Sequence, residues 1–439
     1  MLEAIVKALN ARRDLQAWSL RHITACDSQL YAVPKTVESR RSVVNERYVV
    51  NVLRQTDGAD GTPTCGSSSA TLLPGDDIDA ALDIAALMAG MVHNPPYSIP
   101  GPADFPDVTL ADSNIQKDAG QALDALLARL QTSAQGYPQV HMTAAEVAGQ
   151  EQTTRLLNSM GIDVTQTETL VTIEWVFKGK KEDRESESFV ELERRRIADI
   201  DIEGEVARQA QYTTDLLNVS APPDHEGAVV LRGGAMAGFL TGGLFNDGVI
   251  GNLASAAAKY SKLTSWEIGK SVFQNEAIGD SLNVWANRQL AYGLHSNRFD
   301  DEGIPAQRFQ LIRDGVLVAF SASQRYAEYL SIPATGALGN IELPPGTTPT
   351  STLLAEPHVE IAGFSWFNPD IVTGNFASEI RLGYIVDGNK RTPFKGGMLV
   401  GNVMAALANV RWSKETSLIG DYFGPSVGRF GSLKVVGNG

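Results

Sequence analysis

Apolar residues recur at the 3.6-residue spacing of an amphipathic helix in several segments of the first half of the chain. The predicted helices cover residues 2–20, 76–91, 118–132 and 203–217. The segment 76–91 is rich in Ala and Leu and begins with Asp76 and Asp77. Acids at this position favour a helix because they interact well with its dipole.

Alternating apolar and polar residues predict strands in the rest of the chain. They cover residues 30–33, 43–44, 48–53 and 164–177, and then 228–231, 310–312, 316–320 and 384–386. Asp-Gly pairs at 314–315 and 387–388 each lie between apolar runs and predict hairpin turns. Residues 178–196 interleave acids and bases, which favours a solvated strand pair over a binding patch. The predicted fold class is α+β, with mixed or antiparallel sheets and segregated helices.

A break at Pro222 and Pro223 predicts the main domain boundary. Residues 1–220 are expected to form an N-terminal α+β domain, with a Pro-rich connector near 94–106. Residues 221–439 are richer in Gly and in short apolar runs. They are expected to form a C-terminal, β-rich domain.

Composition agrees with a folded protein, since 43% of the 439 residues are hydrophobic and 20% are charged. The two cysteines, Cys26 and Cys65, are too few for a disulfide framework, and reduced thiols are favoured over one bridge. The N-terminus does not resemble a signal peptide, and the sequence has no apolar run of about 18 residues. We therefore expect a cytoplasmic protein without a membrane partner.

The formal net charge of -14 argues against nucleic acid as a partner. Proteins that bind duplexes normally present a basic surface to the phosphates. A local basic patch is compatible with this charge, but the field of the whole chain repels a polyanion.

Two short motifs lack the context that their chemistry needs. His225-Glu226 could belong to a zinc-hydrolase motif only with a second His one helical turn later, but the chain has Val229 there. Residues 424–428 match the pattern G-x-S-x-G, but a strand follows them and the last histidine, His358, lies upstream. We predict turn or capping chemistry for the first, a glycine-rich loop for the second, and no catalytic residue in either.

Three consecutive acids, Asp300, Asp301 and Glu302, lie in a predicted loop. Adjacent carboxylates can bind a divalent cation or transfer protons. From spacing alone a solvated acidic turn is favoured. The residues by themselves therefore indicate a two-domain protein with no metal site and no visible catalytic group.

Five short elements follow one another in the second half of the chain. They are FDDEGIPAQRFQLIRDGVLVAF (299–320), SIPATGALGN (331–340), TGNF (373–376), GYIV (383–386) and GN (401–402). Their order resembles that of the TldD/PmbA family, once called modulators of DNA gyrase and now regarded as peptidase subunits. Residues 43–54, 70–91 and 216–231 resemble the family more loosely, so the likeness covers most of the chain.

The resemblance also identifies positions where a metal motif is missing. In the TldD type of subunit, a helix after the strand that resembles residues 228–231 carries His-Glu-x-x-x-His, and a later Cys completes the zinc site. Aligned on that strand, this chain has Thr241, Gly242 and Asn246 at the motif, and the Cys position falls near Phe423. These residues cannot replace two imidazoles, a general base and a thiolate. The pattern is similar to the PmbA subunit, also called TldE, which lacks the motif.

By resemblance, the chain is expected to be the non-metal subunit of a TldD/TldE-type metallopeptidase complex that processes short or unfolded peptides. It would supply cavity wall and dimer interface and hold no cofactor, while zinc would belong to a TldD-like partner. A peptide could be held as an added strand on a sheet edge. The candidate cavity-facing residues are Asp300, Asp301, Glu302, Thr335 and Asn340.

Two other functions stay open. The chain could be a homodimeric or larger enzyme with a repurposed cavity that acts on peptides in natural-product maturation. It could also be a non-catalytic modulator of DNA topology, which the negative charge disfavours.

Overall fold

Long antiparallel strands dominate the first half of the molecule. The computed structural model describes residues 1–34, 36–243, 245 and 248–437. The strands of this half are β1 (Ala17–Val33), β2 (Thr36–Asp57), β3 (Pro63–Leu72), β4 (Val140–Asn158), β5 (Asp163–Lys181) and β6 (Arg184–Arg194). They form one sheet in the order β3-β2-β1-β4-β5-β6, and every pairing in it is antiparallel. The β5–β6 hairpin confirms the strand pair predicted for residues 178–196.

Four helices accompany this sheet within the described residues: α1 (Leu2–Ala11), α2 (Ile78–Ala89), α3 (Ser113–Ser133) and α4 (Ile202–Leu216). Aspartates cap α2, α3 and α4, and each accepts a hydrogen bond from a backbone N–H of the first turn. The helix predicted over residues 2–20 ends early because Trp18 and Leu20 are buried in β1. Non-helical angles at Asp118 divide α3 close to the predicted start at residue 118.

The helices cover only one face of the sheet. Apolar residues of α3 and α4 pack on Val147, Ile173 and Trp175 of β4 and β5, while α1 and α2 pack near the β1–β3 end. The opposite face carries polar residues such as Gln152 and Gln166. That polar face is therefore available to line clefts.

The second half contains shorter elements. Its helices are α5 (Gly233–Ala237), α6 (Val249–Leu253), α7 (Ala256–Tyr260), α8 (Gln324–Leu330), α9 (Thr350–Leu353) and α10 (Val403–Leu407). Its strands are β7 (His225–Glu226), β8 (Val229–Arg232), β9 (Val284–Asn287), β10 (Arg308–Arg313), β11 (Val316–Leu317), β12 (Asn340–Glu342), β13 (His358–Phe364), β14 (Asn375–Asp387), β15 (Lys390–Phe394), β16 (Met398–Asn402), β17 (Val410–Trp412), β18 (Thr416–Ile419), β19 (Tyr422–Pro425), β20 (Val427–Phe430) and β21 (Lys434–Val436).

Two sheets form around one apolar core in this half. One has the order β11-β10-β9-β12-β19-β18, and the other runs β17-β20-β8-β13-β14-β16-β21-β7 with β15 on β14. The pairs β8–β13 and β12–β19 are parallel, and the remaining pairs are antiparallel. Phe239, Val284, Ile361 and Phe430 lie in the shared core. The α+β fold with mixed and antiparallel sheets is confirmed.

Local predictions in this half have mixed outcomes. The β10–β11 hairpin turns at Asp314 and Gly315, whose φ angles of 49° and 73° explain the Asp-Gly pair. His225 and Glu226 form a two-residue strand, and the His225 imidazole contacts the carbonyl of Ala228 at 3.1 Å across the bend that follows. Ser426 separates β19 from β20, so the motif at 424–428 belongs to strands and no helix follows it.

Both halves share an interface near the Pro-rich connector. The buried Arg195 donates hydrogen bonds to the carbonyls of Gly293, Leu294 and Ser296. Residues 217–224 join α4 to β7, and the boundary near residue 220 stays a prediction. Both cysteines are free in the structure.

No helix in the part of the chain that the structure describes is long and apolar enough to cross a membrane.

Candidate functional site

A cleft of about 830 Å³ lies where the first sheet meets the second half of the chain. Residues of β6 and α4 form one side, and residues of β18 and of the segment from Arg232 to Thr241 form the other. We name this the strand-edge cleft, because β6 and β18 are each the last strand of their sheet.

The edges of β6 and β18 give the cleft its binding chemistry. Within the described residues neither strand has a neighbour on its outer side, so backbone N–H and C=O groups remain to pair with an extended chain. Phe189 on β6 and Leu418 on β18 line the cleft, with exposed fractions of 52% and 37%. These side chains offer apolar contacts beside the backbone edges.

Three of the four positions where the metal motif is missing lie in or beside this cleft. Thr241 lines the cleft from a π-helical turn, Gly238–Gly242, and its hydroxyl donates to the carbonyl of Ala237 at 2.9 Å. Gly242 is the last residue of that turn. Phe423 lies opposite Leu418 in the β18–β19 pair and is 39% exposed. Asn246 lies outside the described residues.

The donor set does not fit zinc. A hydroxyl committed to its own helix, a glycine and a phenylalanine ring provide no imidazole or thiolate ligand. Across residues 1–34, 36–243, 245 and 248–437, no group of three or more His, Cys, Asp or Glu side chains is placed to hold a metal ion.

A second cleft, of about 770 Å³, adjoins the first at Leu294, which lines both. The polar face of the first sheet forms one wall, and residues 294–302 with the start of α8 form the other. We name it the acidic-turn cleft, because Asp300, Asp301 and Glu302 all line it. The structure thus brings the three predicted acids together with the first sheet.

The first two acids of the turn have different roles. Asp300 accepts hydrogen bonds from the backbone N–H groups of residues 302–304, at 2.9–3.1 Å, and lies 3.6 Å from Arg288. Asp300 therefore shapes the turn. Asp301 is 78% exposed and pairs with Arg21 of β1 across the cleft.

Glu302 is the acid of this turn whose pKa is raised. Solvent reaches its surface, yet the walls of the cleft surround it, and this desolvation raises the pKa of its carboxyl. One carboxylate oxygen accepts the backbone N–H of Gln324 at 2.8 Å, at the start of α8. A carboxyl group with a raised pKa in a cleft is a candidate proton donor.

Thr335 and Asn340 lie inside the wall of the acidic-turn cleft and not on its surface. The Thr335 hydroxyl accepts the N–H of Ala322, and the side chain is almost fully buried. Asn340 is 0% exposed; its oxygen accepts the N–H of His295, and its amide donates to the Asn287 carbonyl. Both residues position neighbouring segments of the wall.

Other charged residues in or beside the clefts could not be identified from the sequence. Arg21 and Arg47 come from adjacent strands, and Arg195 pairs with Glu168 at 3.0 Å. His295 is half-exposed, with Asp421 3.4 Å away. Such pairs form only on folding, because their members are far apart in the chain and belong to no spaced motif.

Residues 228–437 match the family model of the PmbA/TldA metallopeptidase C-terminal domain. The second half of the chain is a domain of the TldD/PmbA family. Three solved structures share its fold over 99% of this chain. They are TldE from Thermococcus kodakarensis (TM-score 0.82, 16% identity, 100% of that chain), a candidate modulator of a DNA gyrase from Thermotoga maritima (0.80, 15%, 100%) and another from Bacteroides thetaiotaomicron (0.80, 14%, 99%).

The chain is also similar to a curated protein from an archaeon. An uncharacterized protein from Methanocaldococcus jannaschii is 25% identical over 291 residues, which cover 62% of this chain and 64% of the relative. The aligned region therefore spans a little less than two thirds of that protein's length.

Proposed function

We propose that the chain is the non-metal subunit of a TldD/TldE-type metallopeptidase complex that processes or degrades short or unfolded peptides. One observation carries the proposal. A chain whose second half matches a metallopeptidase domain has Thr241 and Gly242 where the resemblance places a zinc ligand and the general base of the catalytic subunit. The zinc would then belong to a TldD-like partner.

The strand-edge cleft supports a peptide as the substrate. An extended peptide could pair with the edge of β6 or of β18 through main-chain hydrogen bonds. Such bonds do not depend on side-chain identity, so many sequences would bind. Phe189 and Leu418 would contact the alternate side chains of the added strand.

The decisive experiment is co-expression with a zinc-bearing family member from the same source. We expect one stable complex that contains both chains, holds zinc and cleaves a pool of unstructured peptides. A chelator should abolish cleavage, and each chain alone should be inactive. A chain that stays separate from every such partner would contradict the proposal.

A second candidate is a homo-oligomeric enzyme with its own chemistry on peptides. The observation that favours it is Glu302, whose pKa is raised within the acidic-turn cleft. The purified chain alone would then turn over peptides, a chelator would have no effect, and Glu302→Gln would remove the activity. Absence of turnover by the chain alone, together with an active complex, would exclude this candidate.

A further inference from the structure

Arg47 lines the acidic-turn cleft without a partner. It lies on β2 and is partly buried, and among the described residues no hydrogen bond or ion pair holds its guanidinium group. Its cross-strand partner is Ile23, whereas Arg21 is opposite Val49. Arg21 and Arg47 are therefore diagonal neighbours on adjacent strands, and both line the cleft.

The acids of the cleft do not neutralise this pair of arginines. Asp300 and Glu302 accept backbone N–H groups, and Glu168 has an arginine 3.0 Å away. Only Asp301 contacts one of the two arginines, and it does so from an exposed position. The Nε atom of Arg21 is buried and lacks an acceptor. The cleft therefore has a basic corner with unused donors, in a protein whose net charge is -14.

A carboxylate is the ligand that fits this corner. A guanidinium group donates two parallel hydrogen bonds to a carboxylate, and such charged bonds are stronger than neutral ones. The walls of a cleft exclude part of the solvent, so the attraction is less screened than on an open surface. An incoming carboxylate would replace the exposed Asp301 at Arg21 and bind Arg47 directly.

We propose that Arg47, together with Arg21, binds the C-terminal carboxylate of a peptide substrate. The inference rests on the proposed function, because a peptide held in the strand-edge cleft can continue past Leu294 into the acidic-turn cleft. The strand edges would hold the main chain without regard to sequence. The two arginines would select a free chain end, and so would favour short peptides and fragments over loops of folded proteins.

The test is calorimetric binding of matched peptides to the purified full chain. The probes are N-acetyl-tetra-alanine with a free C-terminus, its C-terminal amide, and an amidated variant with one internal glutamate. We expect the free carboxylate to bind roughly tenfold more tightly than the amide, as for one lost charged hydrogen bond. Equal affinity of the first two peptides would overturn the inference. An amidated glutamate peptide that matches the free carboxylate would overturn its assignment to the chain end.

Variants connect the preference to the arginines. Arg47→Gln should reduce the carboxylate preference to near unity, while Arg41→Gln should preserve it. Arg41 is the matched control because it is an exposed arginine of β2 that lies outside the cleft. Asp301→Asn should strengthen binding of the free carboxylate, since it removes the competing acid from Arg21. An unchanged preference in Arg47→Gln would overturn the proposal.

The outcome is independent of complex formation. Carboxylate-selective binding by a chain that recruits no zinc subunit would contradict the proposed function and leave this inference standing. A complex that cleaves peptides although its non-metal chain has no carboxylate preference would support the proposed function and overturn this inference. Failure of the chain to bind any of the three peptides would also overturn the inference.

Discussion

At the scale of the residue, Arg288 holds the acidic turn in place. It is fully buried and donates to the side chain of Asn297 and to the carbonyls of Ile304, Pro305 and Thr335, at 2.7–3.3 Å. Burial also lowers the pKa of its guanidinium group, although the nearby Asp300 opposes that change. The residue therefore ties two segments of the cleft wall together.

Arg288→Met should destabilise the protein by about 3–5 kcal/mol, because it leaves buried acceptors and a carboxylate unpaired. The control is Arg308→Met, since Arg308 is half-exposed and pairs with Glu342 at 2.6 Å. That variant should cost about 1 kcal/mol or less. Urea unfolding followed by circular dichroism gives both values, and similar losses in the two variants would contradict the role of Arg288.

His358 should contribute to acid sensitivity. Burial lowers the pKa of its imidazole, and its Nε2 atom is buried without a hydrogen-bond partner. The unfolded chain binds a proton below about pH 6.5, whereas the folded chain binds it only at lower pH. The contribution of His358 to the free energy of unfolding is therefore fully present above that pH. It falls as the pH decreases towards the folded-state pKa of His358.

His358→Asn should flatten the pH dependence of the unfolding free energy below about pH 6.5, by at most about 1.4 kcal/mol per pH unit for one group. The control variant is His93→Asn, which removes an exposed imidazole. Equal slopes for wild type and His358→Asn would show that this residue does not titrate during unfolding.

Single residues of the site were only partly predictable. The acids at 300–302 were visible because they are adjacent, but the sequence could not assign Asp300 to turn formation and Asp301 to an ion pair. Arg195 and the carbonyls that it contacts are about 100 positions apart in the chain. Such contacts depend on how the strands pair, and strand pairing cannot be deduced from a short sequence motif.

At the scale of the element, α2 has an apolar surface that faces solvent. Its buried side carries Leu82 and small alanines, while Ile84, Leu87, Met88 and the following Met91 are 51–63% exposed. A helix that is apolar on both sides normally packs against two partners. This side of α2 is a candidate contact with the zinc-bearing partner that we propose.

Leu87→Asp should weaken formation of the proposed complex by roughly tenfold or more, because it places a charge in an apolar contact. Met160→Asp is the control, since Met160 is a similarly exposed apolar residue in the turn between β4 and β5. Circular dichroism would verify that both variants fold. Undiminished co-purification of Leu87→Asp would place the interface elsewhere.

Elements were predicted better than the site. Amphipathic spacing located α2, α3 and α4, because each buries one apolar side against the first sheet. The end of α1 was missed because apolar residues of β1 continue the helical spacing by chance. Sheet order was not predictable, since the parallel pairs β8–β13 and β12–β19 join strands that are distant in the chain.

At the scale of the whole molecule, charge governs which partners can approach. With a net charge of -14 and a sequence pI near 5.0, the chain should produce no gel shift of duplex DNA at about 0.15 M salt. A basic DNA-binding domain at the same concentration serves as the positive control. Salt-sensitive binding of the chain to duplex DNA would support the alternative hypothesis that the chain contacts nucleic acid directly.

The open edges of β6 and β18 also affect how the isolated chain behaves in solution. Unpaired edges promote aggregation, and charged side chains are a common protection against it. β6 carries several Glu and Arg residues, whereas β18, Thr416–Ile419, has no charge. We therefore expect the isolated chain to self-associate first through the uncharged edge of β18. A lysine introduced on this strand should slow aggregation of the isolated chain during storage.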